Sequence, residues 1–372
     1  MHPASFDHDN KERILVVCGP TATGKTGLAL RLAREVGGEI VGADSRQVYR
    51  CMDIGTAKPT PAQQALAPHY LIDVVDPDEP FTLADYLDRA RAAVADILAR
   101  GRVPIVAGGT GLYIRALVQG FDVPRVPPNA ALRRELEDLA AMEGTRALLE
   151  RLRRADSAVA ATVDGANPRR LIRAIEVAEA TLGARVVTSG DPTSMLTPTG
   201  IPIDVVAAST ATGAGAGAGA GWKPALLENV TGGAPAIPVV ARGYDAFVVG
   251  LTADRAVLHE RADRRVAVMM ADGFLDEVRG LYARGYAPTL PALSSLGYRE
   301  LGESLRGLAS LADAVQATKV ATHRFIRRQL TWFRREPTIH WFDITDRDAA
   351  GETARLCARW LSVPPTQAAR GA

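Results

Sequence analysis

The chain has few cysteines, few aromatic residues and no excess of charge. Its 372 residues include three cysteines, Cys18, Cys51 and Cys357, and aromatic side chains make up 5% of the sequence. A scattered, odd-numbered set without a Cys-x-x-Cys pair supports neither a disulfide framework nor a zinc site, and it fits a reduced compartment. Lys and Arg number 44 against 42 Asp and Glu. A balance so close to neutrality does not by itself indicate a nucleic-acid partner.

Long apolar runs are also missing. No stretch approaches the roughly 20 residues that a membrane-spanning helix requires, and residues 1–13 are polar, without the apolar centre of a secretory signal. We therefore expect a cytoplasmic protein with no membrane partner, acting as a monomer. Apolar residues make up 47% of the chain and charged residues 23%, values typical of globular proteins. A length of 372 residues predicts about two domains.

Short apolar runs alternate with helical patterns in the first third of the chain. Residues 13–19, 39–43 and 103–107 are typical of buried strands. Residues 25–36 and 83–100 carry apolar side chains at the spacing of one helix face. This alternation predicts an α/β fold with a parallel sheet covered by helices on both faces.

Two segments of different composition interrupt this pattern. Residues 121–183 lack strand patterns and predict helices at 130–154 and 168–182, which we interpret as a helical insertion domain. Residues 184–244 are poor in charge, rich in Gly, Ala, Pro and Thr, and contain an alternating Gly-Ala repeat. Such a composition predicts a flexible insert without a core of its own.

The remainder of the chain returns to strand and helix patterns. A strand is predicted at 246–251, so we assign residues 1–120 and 245–372 to one core domain. The later helices are predicted at 255–270, 274–284, 298–308 and 311–335, with a last strand near 338–342.

The most informative local motif lies between the first predicted strand and the first predicted helix. It matches Gly-x-x-x-x-Gly-Lys-Ser/Thr in the strand–loop–helix context that a phosphate-binding loop requires. This phosphate loop consists of Gly19, Pro20, Thr21, Ala22, Thr23, Gly24, Lys25 and Thr26. Backbone N–H groups, the helix N-terminus and Lys25 bind phosphate oxygens in such loops, and the Thr26 hydroxyl can ligate Mg²⁺. The motif predicts a bound di- or triphosphate without identifying the organic group attached to it.

Asp44 follows the second predicted strand, at the sheet edge where open α/β folds bind their ligands. This position makes it a candidate general base. Two other interpretations stay open at this point: a carboxylate that holds Mg²⁺ through water, and a solvated aspartate that caps a turn.

A series of further motifs resembles that of the tRNA dimethylallyltransferases. After the phosphate loop come ADSRQVY at 43–49, MDIGTAKP at 52–59, PH at 68–69, GGTGLY at 108–113, PRRL at 168–171, LGYRE at 296–300 and RRQLTW at 327–332. They occur in the order found in that family and span most of the chain outside residues 184–244. The resemblance implies a P-loop NTPase-like α/β core.

The resemblance also implies a reaction. A dimethylallyl group moves from its pyrophosphate to the exocyclic 6-amino group of the adenosine immediately 3′ of a tRNA anticodon. The phosphate loop then binds dimethylallyl pyrophosphate rather than ATP, with Mg²⁺ as the cofactor on Thr26. Asp44 accepts the amine proton, while Lys25 and Arg265 neutralise the leaving pyrophosphate. Arg261 is the competing choice for this arginine.

A base stacked in an anticodon loop must be extruded before it reacts, which requires contacts to the RNA around it. The candidate tRNA-binding residues are Asp44, Ser45, Arg46, Gln47, Thr110, Arg133, Arg169, Arg170, Arg173, Arg324, Arg327 and Arg328. The arginines come from two helical regions and are suited to bind the phosphates of the anticodon stem-loop.

Three alternatives stay open. A small-molecule kinase would use the phosphate loop and the early βα pattern equally well. An adenylate isopentenyltransferase would use the same prenyl donor on a free nucleotide, although the helical insertion and the basic C-terminal helix argue against so small an acceptor. A non-catalytic RNA-binding protein is the third, and the presence of Lys25, Thr26 and Asp44 argues against it.

Overall fold

The computed structural model describes residues 12–188 and 243–363, and its strands form one six-stranded parallel sheet. The strands are Arg13–Cys18 (β1), Gly38–Gly42 (β2), His69–Tyr70 (β3), Val103–Ala107 (β4), Asp245–Thr252 (β5) and Ile339–Asp343 (β6). Their order across the sheet is β3-β2-β4-β1-β5-β6. The predicted α/β class is confirmed.

Helices connect the strands and cover the sheet. They are α1 (Lys25–Val36), α2 (Pro61–Gln64), α3 (Leu83–Ala99), α4 (Gly111–Val118), α5 (Ala130–Glu143), α6 (Thr145–Ala155), α7 (Ser157–Thr162), α8 (Pro168–Thr188), α9 (Arg255–Ala271), α10 (Phe274–Ala283), α11 (Tyr298–Leu305), α12 (Leu311–Phe333) and α13 (Ala349–Ser362). Among the described residues, none of these helices has the length and apolarity needed to cross a bilayer.

Both faces of the sheet are buried, as the continuous apolar strand sequences predict. Side chains alternate along β1, so that Ile14 and Val16 pack with α3 and α4 while Leu15 and Val17 pack with α1 and α13. All four of these β1 side chains are fully buried. The middle of the sheet is therefore rigid, and the loops at the carboxyl ends of its strands are attached to fixed points.

The order of the strands brings three separate sequence motifs together. β1 lies beside β4, and β4 lies beside β2. The phosphate loop follows β1, Asp44 follows β2, and the turn before Thr110 follows β4. Because parallel strands end at the same edge, these three segments meet at one side of the sheet.

Some elements differ from the sequence predictions. The single helix predicted at 130–154 is two helices, because Gly144 lies between α5 and α6 with a positive φ of 78° that breaks the helical path. α8 continues to Thr188, beyond the predicted end at residue 182. β3, α2, α4, α7 and α13 were not predicted. Most of the segment predicted as a flexible insert, residues 189–242, lies outside the described residues.

Helices α5 to α8 pack around an apolar cluster of their own. Leu148, Leu152 and Leu171 are fully buried at its centre. At its edge, Arg133 binds Glu176 through two N–H groups at 2.7 and 2.8 Å. Glu176 also accepts a hydrogen bond from the backbone N–H of Asn129. The insertion is therefore held by an apolar centre and a nearly buried ion pair.

We expect Leu152→Ala to destabilise the protein by about 2–5 kcal/mol, because it leaves a cavity in the α5–α8 cluster. Chemical denaturation measures the loss. Met142→Ala is the control, since Met142 is 83% exposed on α5 and its truncation removes almost no contacts. Equal stability of the two variants would contradict the proposed packing of the insertion.

Candidate active site

The phosphate loop has the backbone geometry of an anion site. Gly19 has a φ of 134°, and a Cβ atom there would lie 2.4 Å from the carbonyl oxygen of Leu251. Gly24 has a φ of 87° and precedes the first residue of α1. Both positions therefore require glycine. The N-terminus of α1 faces the loop, so its free N–H groups and partial positive charge are available to phosphate oxygens.

Side chains inside the loop are fixed by its own backbone. The carbonyl oxygen of Pro20 accepts hydrogen bonds from the Lys25 ammonium at 2.7 Å and from the Thr23 hydroxyl at 2.9 Å. Thr23 is buried, so this loop residue can contact a substrate only through an exposed backbone group or through movement of the loop. Its observed contact is a structural one.

Gln329 of α12 also supports the loop, a role that sequence patterns did not predict. Its Oε1 accepts the backbone N–H of Thr21 at 2.9 Å, and its Nε2 donates to the carbonyl oxygen of Gly109 at 2.9 Å. Gln329 is buried, so both hydrogen bonds are shielded from water. One amide thus joins the loops that follow β1 and β4.

Asp44 has one oxygen engaged within its own loop. Its Oδ1 accepts the backbone N–H of Arg46 at 2.9 Å. The Thr110 hydroxyl accepts the N–H of Ser45 at 3.0 Å, and the Thr110 N–H donates to the carbonyl oxygen of Ala43 at 3.1 Å. These contacts fix the backbone on both sides of Asp44. Its Oδ2 accepts no hydrogen bond within the described residues, and the carboxylate lines the main cavity.

The charges beside Asp44 are two cations. Burial, and then the positive charge of Arg265, lower the pKa of Lys25 to about 8, whereas Asp44 and Cys18 oppose the shift. Burial also lowers the pKa of Arg265, and Asp44 again opposes it. A single carboxylate therefore faces two desolvated cations. The site has an excess of positive charge that a bound anion would neutralise.

One large cavity of about 960 Å³ contains the phosphate loop, Asp44 and one face of α9. Arg261, Arg265 and Met269 lie on that face at successive helical turns. Arg261 is exposed, and its Nη2 lies 3.9 Å from the point where a Cβ on Gly24 would stand. Arg264 also lines the cavity but pairs with Glu260 at 2.6 Å. Both candidate arginines, Arg261 and Arg265, are thus beside the phosphate loop.

Arg46 and Gln47, which follow Asp44 in the same loop, both contact neighbouring backbone. The Arg46 guanidinium donates to the carbonyl oxygen of Pro291 at 3.0 Å. The Gln47 amide donates to the carbonyl oxygens of Thr56 and Ala57. Gln47 lines the cavity with Asp44.

The predicted RNA-binding arginines of the insertion differ from one another in exposure. Arg169 is exposed. Arg133 is 12% exposed and bound to Glu176, which Arg173 also contacts at 3.2 Å. Arg170 contacts Asp164 at 3.4 Å. An RNA phosphate must compete with a carboxylate for the last three, so Arg169 is the most available of the set.

The predicted arginines of α12 are all exposed. Arg324, Arg327 and Arg328 form no ion pair within the described ranges, although Arg328 lies over the ring of Phe325. A second cavity, of about 360 Å³, lies between α12 and the start of α9. Its lining includes three guanidinium groups and one carboxylate, from Arg255, Arg327, Arg334 and Asp254. This surface is suited to bind phosphate groups.

Comparison with known proteins identifies the family. A model of the IPP transferase family matches residues 47–210 and 223–336. The chain belongs to this family. A tRNA dimethylallyltransferase from Roseiflexus castenholzii is 47% identical over 326 residues, which cover 88% of this chain and 91% of the relative. The expectation drawn from the motif series is confirmed.

Solved structures agree with this assignment. The full-length tRNA isopentenylpyrophosphate transferase from Bacillus halodurans is 33% identical, with a TM-score of 0.61, and the match covers 94% of this chain and 97% of that one. A eukaryotic dimethylallyltransferase acting on tRNA has a TM-score of 0.68 at 20% identity, covering 94% and 80% of the two chains. At this lower identity the second similarity concerns the fold, which is shared.

The titration of Lys25 predicts how the diphosphate affinity of this protein depends on pH. Above about pH 8, Lys25 of the unliganded protein loses its proton. Binding of a diphosphate must then take up that proton again, which weakens the affinity. We expect the affinity for inorganic pyrophosphate to fall by up to about tenfold for each pH unit above 8. Calorimetry from pH 7 to 9.5 measures this slope, and Lys25→Met is expected to remove it. An equal slope in both proteins would contradict the assignment.

Proposed function

We propose that this chain transfers a dimethylallyl group from dimethylallyl pyrophosphate to the exocyclic 6-amino group of the adenosine 3′ to a tRNA anticodon. The observation that carries the proposal is the composition of one cavity. It joins a phosphate loop, two desolvated cations and a carboxylate with one oxygen free of hydrogen bonds from the described residues. The names of the relatives and family supply the two substrates.

Asp44 acts as the general base in this proposal. An aromatic amine is a weak nucleophile because its lone pair is delocalised into the ring. Removal of one of its protons as the new bond forms restores its reactivity. The Arg46 N–H holds Oδ1 of Asp44, which leaves Oδ2 to accept the proton. The carboxylate is thus oriented before the substrate arrives.

The leaving group is stabilised by the opposite side of the cavity. As the bond between carbon and oxygen breaks, negative charge grows on the pyrophosphate. The N-terminus of α1, Lys25 and Arg265 provide positive charge that is already in place, and burial desolvates the two side chains. Because the negative charge is larger on the departing pyrophosphate than on the bound donor, these cations stabilise the departing group more strongly.

Mg²⁺ fits the same end of the site. The Thr26 hydroxyl stands in the first turn of α1 and has no hydrogen-bond partner within the described residues. Those residues contain no cluster of three or more carboxylate, His or Cys side chains that could hold a metal alone. Mg²⁺ is commonly held by one or two protein oxygens together with substrate phosphates and water. The ion would add positive charge against the pyrophosphate.

RNA binding is assigned to the two arginine-bearing regions. We propose that Arg169 and the exposed Arg324, Arg327 and Arg328 contact phosphates of the anticodon stem-loop, an interaction that salt weakens. Arg133 and Arg173 support the insertion through Glu176, and their predicted RNA contacts, like those of Ser45, Arg46, Gln47 and Thr110, stay predictions. The division into a core at 1–120 and 245–372 and a tRNA-binding insertion at 121–183 is part of the same proposal. The monomeric state and cytoplasmic location also stay predictions.

The direct test supplies both substrates. The protein is incubated with Mg²⁺, radiolabelled dimethylallyl pyrophosphate, and either unmodified tRNA or AMP. We expect label in the tRNA, on the adenosine beside the anticodon, and none in AMP. Label in AMP alone would favour an adenylate isopentenyltransferase, and consumption of ATP without prenyl transfer would favour a kinase. Either result would contradict the proposal.

Asp44→Asn tests the base. We expect kcat to fall by about 10²- to 10⁴-fold, because the amide keeps the shape and the Arg46 contact but accepts no proton. Binding of tRNA, which we assign mainly to the arginines, should change little. Asp272→Asn is the control, since Asp272 lines the same cavity. A kcat near that of the unmodified protein would remove Asp44 from the mechanism.

Substitution distinguishes the two candidate arginines of α9, Arg261 and Arg265. We expect Arg265→Ala to reduce kcat/KM for the donor by about 10²-fold or more, because its cation is desolvated beside Lys25. The exposed Arg261 should contribute less, about tenfold, and Arg264→Ala, which breaks a surface ion pair, almost nothing. Steady-state kinetics measure all three. A larger loss for Arg261→Ala than for Arg265→Ala would mean that Arg261 is the arginine that neutralises the pyrophosphate.

A further inference from the structure

The amide of Gln47 has both of its N–H groups engaged by neighbouring backbone. Gln47 follows Asp44 by three residues and lines the same cavity. Its Nε2 donates to the carbonyl oxygen of Thr56 at 3.2 Å and to that of Ala57 at 3.1 Å. Both acceptors belong to the segment 53–58, here called the strap, which forms one wall of the cavity.

These two contacts determine which way the amide faces. Both partners are carbonyl oxygens, which accept hydrogen bonds and cannot donate them. If nitrogen and oxygen were exchanged, Oε1 would meet two other oxygens without a proton between them. Oε1 accepts no hydrogen bond from the described residues. Gln47 therefore offers the cavity an acceptor and no donor.

The strap is itself held at both ends. Glu277 of α10 accepts the backbone N–H groups of Asp53 and Ile54, each at 2.8 Å, and that of Gly55 at 3.2 Å. The Tyr298 hydroxyl donates to the same carboxylate at 2.6 Å. At the other end, Lys58 is nearly buried and binds Asp53, Asp73 and the carbonyl oxygen of Tyr49. The two carbonyls that orient Gln47 are therefore not free to turn away.

We infer that Gln47 is a specificity-determining residue that selects the acceptor base through the Oε1 of its locked amide. The inference rests on the proposed function. An exocyclic amine at position 6 of a purine donates an N–H to this oxygen. A carbonyl at position 6, as in guanine or hypoxanthine, presents a second acceptor and leaves both oxygens unpaired.

The two N–H groups of the amine then have different fates. The amine nitrogen forms a bond to the allylic carbon of the donor, and the bond from that carbon to the pyrophosphate oxygen breaks with its electron pair. One proton passes to Asp44. The second N–H stays on the product nitrogen and keeps its hydrogen bond to Gln47. The group that identifies the base is thus not consumed in the reaction.

The test compares anticodon stem-loops that carry adenosine or inosine at the target position. Inosine has a carbonyl oxygen in place of the amine, so its RNA is measured as a competitive inhibitor of transfer to the adenosine RNA. The preference is the ratio of the two dissociation constants, with the adenosine value taken by equilibrium binding in the absence of donor. We expect Gln47→Met, which keeps the length of the side chain, to reduce this preference by about tenfold, the usual effect of one polar group left unpaired.

Gln64→Met is the matched control. Gln64 lines the same cavity, and its Nε2 likewise donates to a backbone carbonyl, that of Pro59. The control should keep the full preference, and donor KM should be unchanged in both variants. If Gln47→Met fails to fold by thermal melting, Gln47→Ala is measured in the same way. An unchanged preference in the Gln47 variant, or an equal loss in Gln64→Met, would overturn the inference.

The outcomes also separate this inference from the proposed function. Transfer to adenosine RNA by the unmodified protein, together with an unchanged preference in the Gln47 variant, overturns the role of Gln47 alone. Absence of transfer to any RNA by the unmodified protein overturns the proposed function, and the role of Gln47 with it.

Discussion

The site depends on two desolvated cations that share one carboxylate. Burial disfavours the charge of both Lys25 and Arg265, Arg265 further disfavours the charge of Lys25, and Asp44 compensates only part of this cost. Such an arrangement is unfavourable in the free protein and becomes favourable when an anion binds. The rigid β1, the N-terminus of α1 and the packing of α9 against α12 hold the cations where the anion is required.

The same arrangement accounts for the base and leaving-group roles that we propose for one cavity. The Asp44 carboxylate lies beside the two cations and is fixed through its Oδ1 by the Arg46 N–H. Gln329 joins the loops after β1 and β4, and Thr110 joins the latter to the Asp44 segment. The three loops are therefore linked by hydrogen bonds as well as by the sheet. Displacement of one of them would move the base relative to the leaving group.

Local patterns predicted which segments meet at the carboxyl ends of the central strands. The phosphate loop is contiguous in sequence, and the apolar strands before it and before Asp44 determine where both segments emerge. Gln329 could not be assigned a role, because its partner Thr21 is 308 positions away and a lone glutamine in a helix carries no signal. β3 has two residues and α2 has four, which are too short for a periodic pattern. α4 is apolar over most of its length and lacks the alternation of faces that identifies a surface helix.

Sequence could not rank the arginines of the two regions that we propose to bind RNA. Arg133 and Arg169 cannot be distinguished from the sequence alone. Folding places Arg133 against a buried carboxylate and leaves Arg169 exposed. The difference arises from Glu176, 43 positions away from Arg133 and one helical turn from Arg173. Charge counted along the chain thus locates arginine-rich regions, and packing decides which of their side chains are available.

The most direct measurement of the central claim is the ionisation of Lys25 itself, followed by NMR of its ¹³Cε atom with and without inorganic pyrophosphate and Mg²⁺. In the free protein the pKa of Lys25 should lie near 8. Bound pyrophosphate should raise it by at least one unit, because the anion compensates the charge of Arg265 and the cost of burial. A pKa that is the same in the free and bound protein would contradict the claim that these cations form the pyrophosphate site.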